Sequence, residues 1–267
     1  MATLRVGSYN ILHGMRVLDG AQERDTEALR AAVAGLDVDV LGMQEVDLGQ
    51  PRSGMTDQTR EAAAAMQAEH WRFVPTVVGT PGHQAHFRPS TDVDVAATWA
   101  GALAEPLYGV GLVSRLPVLR WDYLLMDPAN ITMPLLVPGN PRPRLLRVPD
   151  EPRAALAAVL DLPTPVTVCT LHLSFVPFTN TRQLREVRDW LASFPRPVIL
   201  LGDFNLPGRI AARVTKWHET ETGASYPVFK PRVQFDHILS DGIAGSGGTV
   251  HALAVSDHCA ITAQFAL

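Results

Sequence analysis

Short apolar runs that end in a polar residue recur along this chain, and they constrain its fold more than any other feature. Such runs end at Asn10, at Glu45, at His172 and at Asp203. Their lengths are those of buried strands, and stretches with apolar residues at helical spacing lie between them. Strands that alternate with helices predict an α/β fold, in which polar residues at strand ends gather along one edge of a sheet.

The predicted strands cover residues 4–12, 38–43, 109–113, 166–172, 197–201, 235–239 and 260–265. Predicted helices begin at Thr26 behind the capping residue Asp25, at Thr56, and at Asn180, which with Gln183 resembles a capping box. Two polar or proline-rich stretches, 80–97 and 128–152, are predicted to be loops or edge strands. Because apolar strands resume on both sides of residues 128–152, we expect one domain over residues 1–267.

Composition narrows the class of protein. Hydrophobic residues make up 46% of the 267 residues and the net charge is −4, which excludes a disordered chain and argues against a broad basic surface for nucleic acid. The only cysteines, Cys169 and Cys259, lie in apolar runs, so a disulfide framework is not expected. No signal-peptide pattern and no apolar run long enough to span a membrane is found, and the cytoplasm is the expected location. The sequence does not set the oligomeric state.

Several common catalytic motifs are absent. The chain has no Cys-x-x-Cys, no His-Glu-x-x-His, no Gly-x-Ser-x-Gly and no phosphate-binding Gly-x-x-x-x-Gly-Lys motif. What remains at the strand ends is a set of carboxylates, an amide and histidines. Carboxylate and amide oxygens are the ligands that Mg²⁺ prefers, and the histidines can transfer protons.

Six motifs carry a resemblance to a known family. They are Ser8-Tyr9-Asn10-Ile11, Gln44-Glu45-Val46-Asp47, Thr170-Leu171-His172, Gly202-Asp203-Phe204-Asn205, Phe235-Asp236-His237-Ile238 and Ser256-Asp257-His258. In this order and spacing the chain resembles the endonuclease/exonuclease/phosphatase superfamily, which contains nucleases, sphingomyelinases and inositol polyphosphate phosphatases. The resemblance implies a four-layer α/β sandwich of two packed mixed β-sheets flanked by helices.

The resemblance also implies cleavage of a phosphoester with Mg²⁺ or Mn²⁺. Carried over by position, Asn10 and Glu45 are expected to hold the metal, with Asp257 near it. Asp203 and Asn205 are expected to align or activate the attacking water and to contact the phosphate. An in-line attack by water is the reaction that this set implies.

The histidines complete the expected set. Asp236 is expected to orient His258, which acts as general base or holds the phosphate, while His172 is expected to donate to a phosphate oxygen. Either Asp203 or His258 remains open as the general base. Abasic-site endonucleases have an aspartate where this chain has Leu12 and a tyrosine in place of His172, so that role is disfavoured.

The substrate class stays open at this stage. A lipid or small-molecule phosphodiester suits the acidic chain, with Arg153, Phe175 and Phe178 as candidate substrate-binding residues. Pocket walls are expected from residues 80–97, 128–152 and 174–181, whereas His13 is expected to be a surface or packing residue.

Two alternatives to a lipid or small-molecule phosphodiesterase remain. One is a nuclease that uses the arginines at positions 142, 144, 147 and 153 as a phosphate track, and the other is a non-catalytic binding protein on the same fold. A non-catalytic protein would have lost one of the motif residues, and none is replaced.

Overall fold

The computed structural model describes residues 2–17, 23–81, 86–102, 105–137 and 144–267. The strands are β1 (Thr3–Asn10), β2 (Val40–Leu48), β3 (His70–Thr80), β4 (His86–Pro89), β5 (Leu107–Ser114), β6 (Val118–Met126), β7 (Thr132–Val137), β8 (Arg144–Pro149), β9 (Arg153–Leu160), β10 (Val166–His172), β11 (Val198–Asp203), β12 (His218–Glu219), β13 (Asp236–Asp241), β14 (Gly245–His251) and β15 (Ala260–Ala266). The helices are α1 (Thr26–Leu36), α2 (Gln58–Met66), α3 (Asp92–Trp99), α4 (Thr179–Leu191) and α5 (Ile210–Thr215), and 3-10 turns lie at Leu12–Gly14 and Pro51–Ser53.

Two mixed sheets form the centre of the fold. The first has seven strands in the order β14-β15-β1-β2-β5-β3-β4, and the second has six in the order β12-β13-β11-β10-β9-β6. Within them β1 pairs with β2, and β10 with β11, in parallel, whereas the other neighbours are antiparallel. The strands of these parallel pairs contain the sequence motifs. Asn10 is at the carboxyl end of β1 in one sheet, and His172 and Asp203 are at the carboxyl ends of β10 and β11 in the other.

The apolar side chains form three layers of core, which confirms the predicted four-layer sandwich. Alternate residues of β9 show the pattern: Leu156 and Ala158 face the seven-stranded sheet, whereas Ala155 and Ala157 face α4. Helices α1 and α2 cover the outer face of the seven-stranded sheet. Because both faces of each sheet are buried, the central strands are apolar nearly throughout, as buried parallel strands are.

The two stretches predicted as loops or edge strands contain more structure than expected. Residues 80–97 hold β4 and helix α3, whose capping box joins Thr91 and Asp94. Residues 128–152 hold a separate two-stranded hairpin of β7 and β8. Within α3 only Val95 is fully buried. A helix with so few buried side chains has little hydrophobic periodicity in its sequence, which is why it was not predicted.

Helix α4 begins one residue earlier than predicted, and the expected capping box is wrong. Asn180 lies inside the helix and donates to the carbonyl oxygen of Asn205 (3.0 Å). Gln183 accepts from the backbone N–H of Ser174 (2.8 Å) and donates to the carbonyl oxygen of Asp127 (3.0 Å). The two amides therefore fix the loops that surround the motif strands instead of capping the helix.

Candidate active site

A cavity of about 520 Å³ opens at the rim where the two sheets meet. Its lining includes eight of the sequence-predicted site residues: Glu45, Arg153, His172, Phe175, Asp203, Asn205, Asp257 and His258. The predicted walls are confirmed, since Pro81, Val148 and Phe175 line the cavity. A fourth wall, which sequence reasoning missed, is supplied by Tyr226 and Phe235.

Glu45 reaches the cavity through a break in the regular strand. The sequence predicted that β2 ends near Met43, but the strand continues to Leu48 across a β-bulge between Met43 and Val46. Glu45 sits in this bulge with a left-handed backbone (φ 56°). A bulge turns one side chain out of the alternation of the strand, and here it directs Glu45 into the cavity.

Asn10 connects the two sheets at the base of the cavity. Its side-chain nitrogen donates to Glu45 Oε1 (3.1 Å) and to Asp203 Oδ2 (3.1 Å). Its oxygen accepts from the backbone N–H of Leu12 (3.1 Å). In this arrangement Asn10 positions two carboxylates with its nitrogen, whereas the sequence expectation used its oxygen as a metal ligand.

Asp203 and Asn205 form a tight turn at the end of β11. Asp203 Oδ1 accepts from the backbone N–H of Asn205 (2.9 Å), and Asn205 has a left-handed backbone (φ 49°). The preceding Gly202 (φ 150°) is required, because a Cβ there would lie 2.1 Å from the carbonyl oxygen of Leu171. Burial raises the pKa of Asp203 to about 6, and the nearby His258 opposes that shift.

Asp236 and His258 form a buried pair that crosses from one sheet to the other. Asp236 Oδ2 lies 2.8 Å from His258 Nδ1 and accepts from the Ser225 hydroxyl (2.5 Å). The other ring nitrogen of His258 lies 3.7 Å from Asp203 Oδ2. Burial lowers the pKa of His258, but the charges of Asp236 and Asp203 outweigh it and hold that pKa well above its ordinary value. His258 is therefore protonated at neutral pH.

His172 is neutral, in contrast to His258. Arg153 Nη1 lies 3.1 Å and 3.2 Å from its two ring nitrogens, and an arginine only donates. Burial and the positive charges of Arg153 and His258 hold the pKa of His172 well below its ordinary value. His172 is thus a neutral acceptor for Arg153, whose own Nε is buried without a partner among the described residues.

The cavity concentrates acidic groups, and this donor set fits a divalent cation. Burial raises the pKa of Asp257 to about 6, and it also raises the pKa of Glu45 and Glu151. A bound cation stabilises the ionised form of crowded, buried carboxylates, and carboxylate oxygens are the ligands that hard metal ions take. Among the described residues, three side chains with ligand atoms within 4.8 Å of one another are Asp203, Asp236 and His258.

Three sequence expectations need correction or restriction. Phe178 is not among the cavity-lining residues and is 86% exposed, because it stands before α4 with its backbone in a left-handed conformation (φ 68°). His13, expected to be a surface or packing residue, lines the cavity, and the positive φ (44°) of its loop gave no signal in the sequence. Of the arginines proposed as a nucleic-acid track, Arg142 and the side chain of Arg144 lie outside the described residues, and Arg153 is buried in the cavity.

Two packed sheets with a rim of carboxylates, histidines and arginine define an α/β-sandwich phosphoester hydrolase. The chain belongs to the endonuclease/exonuclease/phosphatase family, whose sequence model matches residues 7–258. Members of this family are hydrolytic phosphoesterases and generally depend on a divalent metal ion. No curated protein matches the chain by sequence at a significant level.

Solved structures share the fold. An endonuclease/exonuclease/phosphatase from Beutenbergia cavernae is 21% identical with a TM-score of 0.67, over 100% of this chain and 72% of that one. Sphingomyelinase C from Streptomyces griseocarneus is 16% identical (TM-score 0.62, 99% of each chain). A mannosyl-6-phosphatase from Bacteroides thetaiotaomicron is 13% identical (TM-score 0.58, 99% of this chain and 100% of that one). None of the described helices is long and apolar enough to cross a membrane.

Proposed function

We propose that this protein hydrolyses a lipid or small-molecule phosphodiester, with Mg²⁺ or Mn²⁺ as cofactor, by in-line attack of water. The observation that carries the proposal is that a carboxylate able to accept a proton and a protonated imidazole face each other in the cavity. Asp203, with a pKa of about 6, faces the Nε2 of a protonated His258 across 3.7 Å. Two titratable groups whose environments drive their pKa values apart supply the base and the acid of a hydrolysis.

Asp203 is the better general base of the two candidates that the sequence left open. It is ionised above pH 6 and is held by Asn10 and by the backbone of Asn205. A carboxylate with a pKa near the working pH accepts a proton from water efficiently. His258 is already protonated, so it donates a hydrogen bond to a phosphate oxygen, and Asp236 keeps it charged.

Arg153 supplies a further donor to the phosphate, whereas the side-chain nitrogen of Asn205 donates to the carbonyl oxygen of Leu173 (3.0 Å) and so holds the turn. The Arg153 guanidinium lines the cavity with an unpartnered Nε, and neutral His172 holds its Nη1. Glu45 and Asp257, with Asn10 beside them, would hold the metal. When bound, the metal neutralises negative charge that develops on the phosphate oxygens.

A diester is favoured over a monoester by the charge of the cavity. Four carboxylates line it, from Glu45, Glu151, Asp203 and Asp257. These carboxylates outnumber the three cationic side chains of the lining, which are Arg52, Arg153 and the protonated His258. A diester carries one negative charge and a monoester close to two, so the excess negative charge repels the monoester more strongly. The fold itself does not choose, because it is shared by a sphingomyelinase C and by a mannosyl-6-phosphatase.

Apolar side chains support a lipid or another apolar ester group. Phe175 lines the cavity 6.0 Å from the Arg153 guanidinium carbon. Exposed apolar side chains occur on the segments that form the walls: Leu145, Phe178 and Phe229. The proposed location is the cytoplasm, and two buried free cysteines support it.

The proposal is tested by hydrolysis of bis-p-nitrophenyl phosphate and p-nitrophenyl phosphate with Mg²⁺, with Mn²⁺ and with EDTA. His258→Ala is compared with His218→Ala, which removes an exposed histidine on β12. We expect metal-dependent turnover of the diester that is lost only in His258→Ala. Vesicles containing sphingomyelin or phosphatidylcholine, plasmid DNA and single-stranded RNA are then compared as substrates. Preferential cleavage of nucleic acid would replace the lipid or small-molecule assignment with a nuclease.

A further inference from the structure

His13 occupies a strained position at the edge of the catalytic cavity. Its backbone is left-handed (φ 44°, ψ 36°) inside the 3-10 turn Leu12–Gly14. This region is uncommon for residues other than glycine, although histidine, asparagine and aspartate adopt it more often than other residues, and such conformations cluster at functional sites. The turn is held by Leu12, whose N–H donates to Asn10 Oδ1, and by Gly14, whose N–H donates to the carbonyl oxygen of Ile11 (2.8 Å).

The side chain of His13 is aimed at Glu45 without bonding to it. His13 Nδ1 is buried and has no hydrogen-bond partner among the described residues. It lies 3.8 Å from Glu45 Oε2, which is too long for a hydrogen bond. Two ligands of one ion, with bonds of about 2.1 Å, lie at most about 4.2 Å apart. The distance therefore suits two ligands of a shared cation.

Both atoms are available for such a cation. Glu45 Oε1 already accepts from Asn10, which leaves Oε2 as the oxygen that faces His13. His13 Nδ1 is buried without a hydrogen-bond partner among the described residues, so this nitrogen has no competing contact there. Arg52, which lines the same cavity, is paired with Asp47 through two hydrogen bonds (2.9 and 2.6 Å), which offsets its charge near the site.

We propose that His13 is a nitrogen ligand of the divalent metal, shares it with Glu45, and makes the site select a transition-metal ion over Mg²⁺. The inference rests on the proposed function in requiring a metal in the cavity. Mg²⁺ takes oxygen ligands and dehydrates reluctantly, whereas imidazole nitrogen suits transition metals. An all-oxygen set of Glu45 and Asp257 would favour Mg²⁺, so His13 decides the selectivity.

A competing position for the ion is the cluster of Asp203, Asp236 and His258. The closeness of these three is already accounted for by the hydrogen bond between Asp236 and His258 Nδ1. Of the His258 ring nitrogens, only Nε2 lacks a hydrogen bond to this cluster, and it lies 3.7 Å from Asp203 Oδ2. His13 Nδ1 is buried without a partner among the described residues, and this unexplained nitrogen favours the position beside Glu45.

The test is electron spin echo spectroscopy of Mn²⁺ bound to the purified, metal-free full chain. A coordinated imidazole gives a ¹⁴N modulation that an all-oxygen site lacks. His13→Asn keeps a residue that tolerates the left-handed backbone, and His13→Gln is a second variant in case the first does not fold. His218→Asn is the matched control, because it removes an exposed histidine. Calorimetry measures Mn²⁺ and Mg²⁺ affinity for each protein.

We expect the ¹⁴N modulation in the wild type and in His218→Asn, and its loss in both His13 variants. Their Mn²⁺ affinity should fall at least about tenfold and their Mg²⁺ affinity far less, because even outer-shell changes cost about that much. A modulation that persists without His13, or no modulation in the wild type, overturns the inference; loss in His258→Asn instead would place the ion beside Asp203. Hydrolysis is scored separately, so a bound ion at His13 without phosphoester turnover would refute the proposed function and leave this ligand assignment standing.

Discussion

Replacing Asp257 with asparagine is expected to stabilise the metal-free protein at neutral and alkaline pH. Burial raises the pKa of the Asp257 carboxyl from 3.8 to about 6; His258 opposes this, and Glu45 adds to it. A shift of about two pKa units corresponds to about 3 kcal/mol against the ionised form. Asp257 is partly exposed to the cavity, and solvent screening reduces the expected gain to about 1–3 kcal/mol.

The sign follows from where the proton binds more tightly. The folded state holds the Asp257 proton up to about pH 6, whereas the unfolded chain releases it near pH 4. Its stabilising contribution is therefore complete below pH 4 and is lost as the pH rises through 6. Asparagine has no such proton, so the difference between variant and wild type should be absent at pH 4 and complete at pH 8.

The assay is urea unfolding followed by tryptophan fluorescence, in EDTA, at pH 4 and pH 8. Asp161→Asn is the control, because Asp161 is exposed and its replacement should change stability little at either pH. A metal-free Asp257→Asn protein that is less stable than the wild type at pH 8 would refute the reasoning from burial. With Mn²⁺ at 100 times its Kd, the wild type should gain about 2.7 kcal/mol and the variant less, since one proposed ligand is weakened.

Three further outcomes are expected. Asp236→Asn removes the acceptor of His258, so the imidazole should titrate at lower pH by NMR and turnover should fall about a hundredfold or more; an unchanged titration would contradict the pairing. Phe175→Ala should raise KM for an apolar diester, while Phe178→Ala should leave the kinetics of bis-p-nitrophenyl phosphate unchanged, and equal effects of both would show that Phe178 reaches the cavity. Gly42→Ala should destabilise the protein by about 1–3 kcal/mol in thermal unfolding, because the added Cβ would lie 2.3 Å from a methyl carbon of Leu201.

Residues that stand at regular strand ends could be predicted from the sequence. His172 is the last residue of β10, where the apolar run predicted the strand to end. Asp203 ends β11 two residues beyond the predicted strand, and Asn10 ends β1 two residues before the predicted end at residue 12, so periodicity located both to within two residues. The family resemblance then supplied the order of the sheets and the four layers, which no local pattern contains. That residues 1–267 form one domain stays a prediction.

Features that depend on irregular backbone could not be predicted. The bulge at Glu45 arises from how β2 pairs with β5, and the left-handed turn at His13 has no signal in residue types. Phe178 shows the same limit, because its neighbour Phe175 enters the cavity and a positive φ turns Phe178 away from it. The direction of a loop side chain depends on such local dihedral angles, which hydrophobic periodicity does not report.

The site depends on how closely the two sheets approach, since its residues come from both. Asn10 and His258 belong to the seven-stranded side, and each contacts Asp203 on the other. Behind them, Gln44 Nε2 donates to Thr170 Oγ1 (2.9 Å), a buried hydrogen bond between the sheets. Gly42 lies two residues before Gln44 on β2, and the absence of a side chain there lets Thr170 approach. Buried hydrogen bonds and the close approach of the backbone at Gly42 allow the two sheets little movement. The packing between the sheets therefore sets the distance between Asp203 and His258, and this distance determines how strongly each group shifts the pKa of the other.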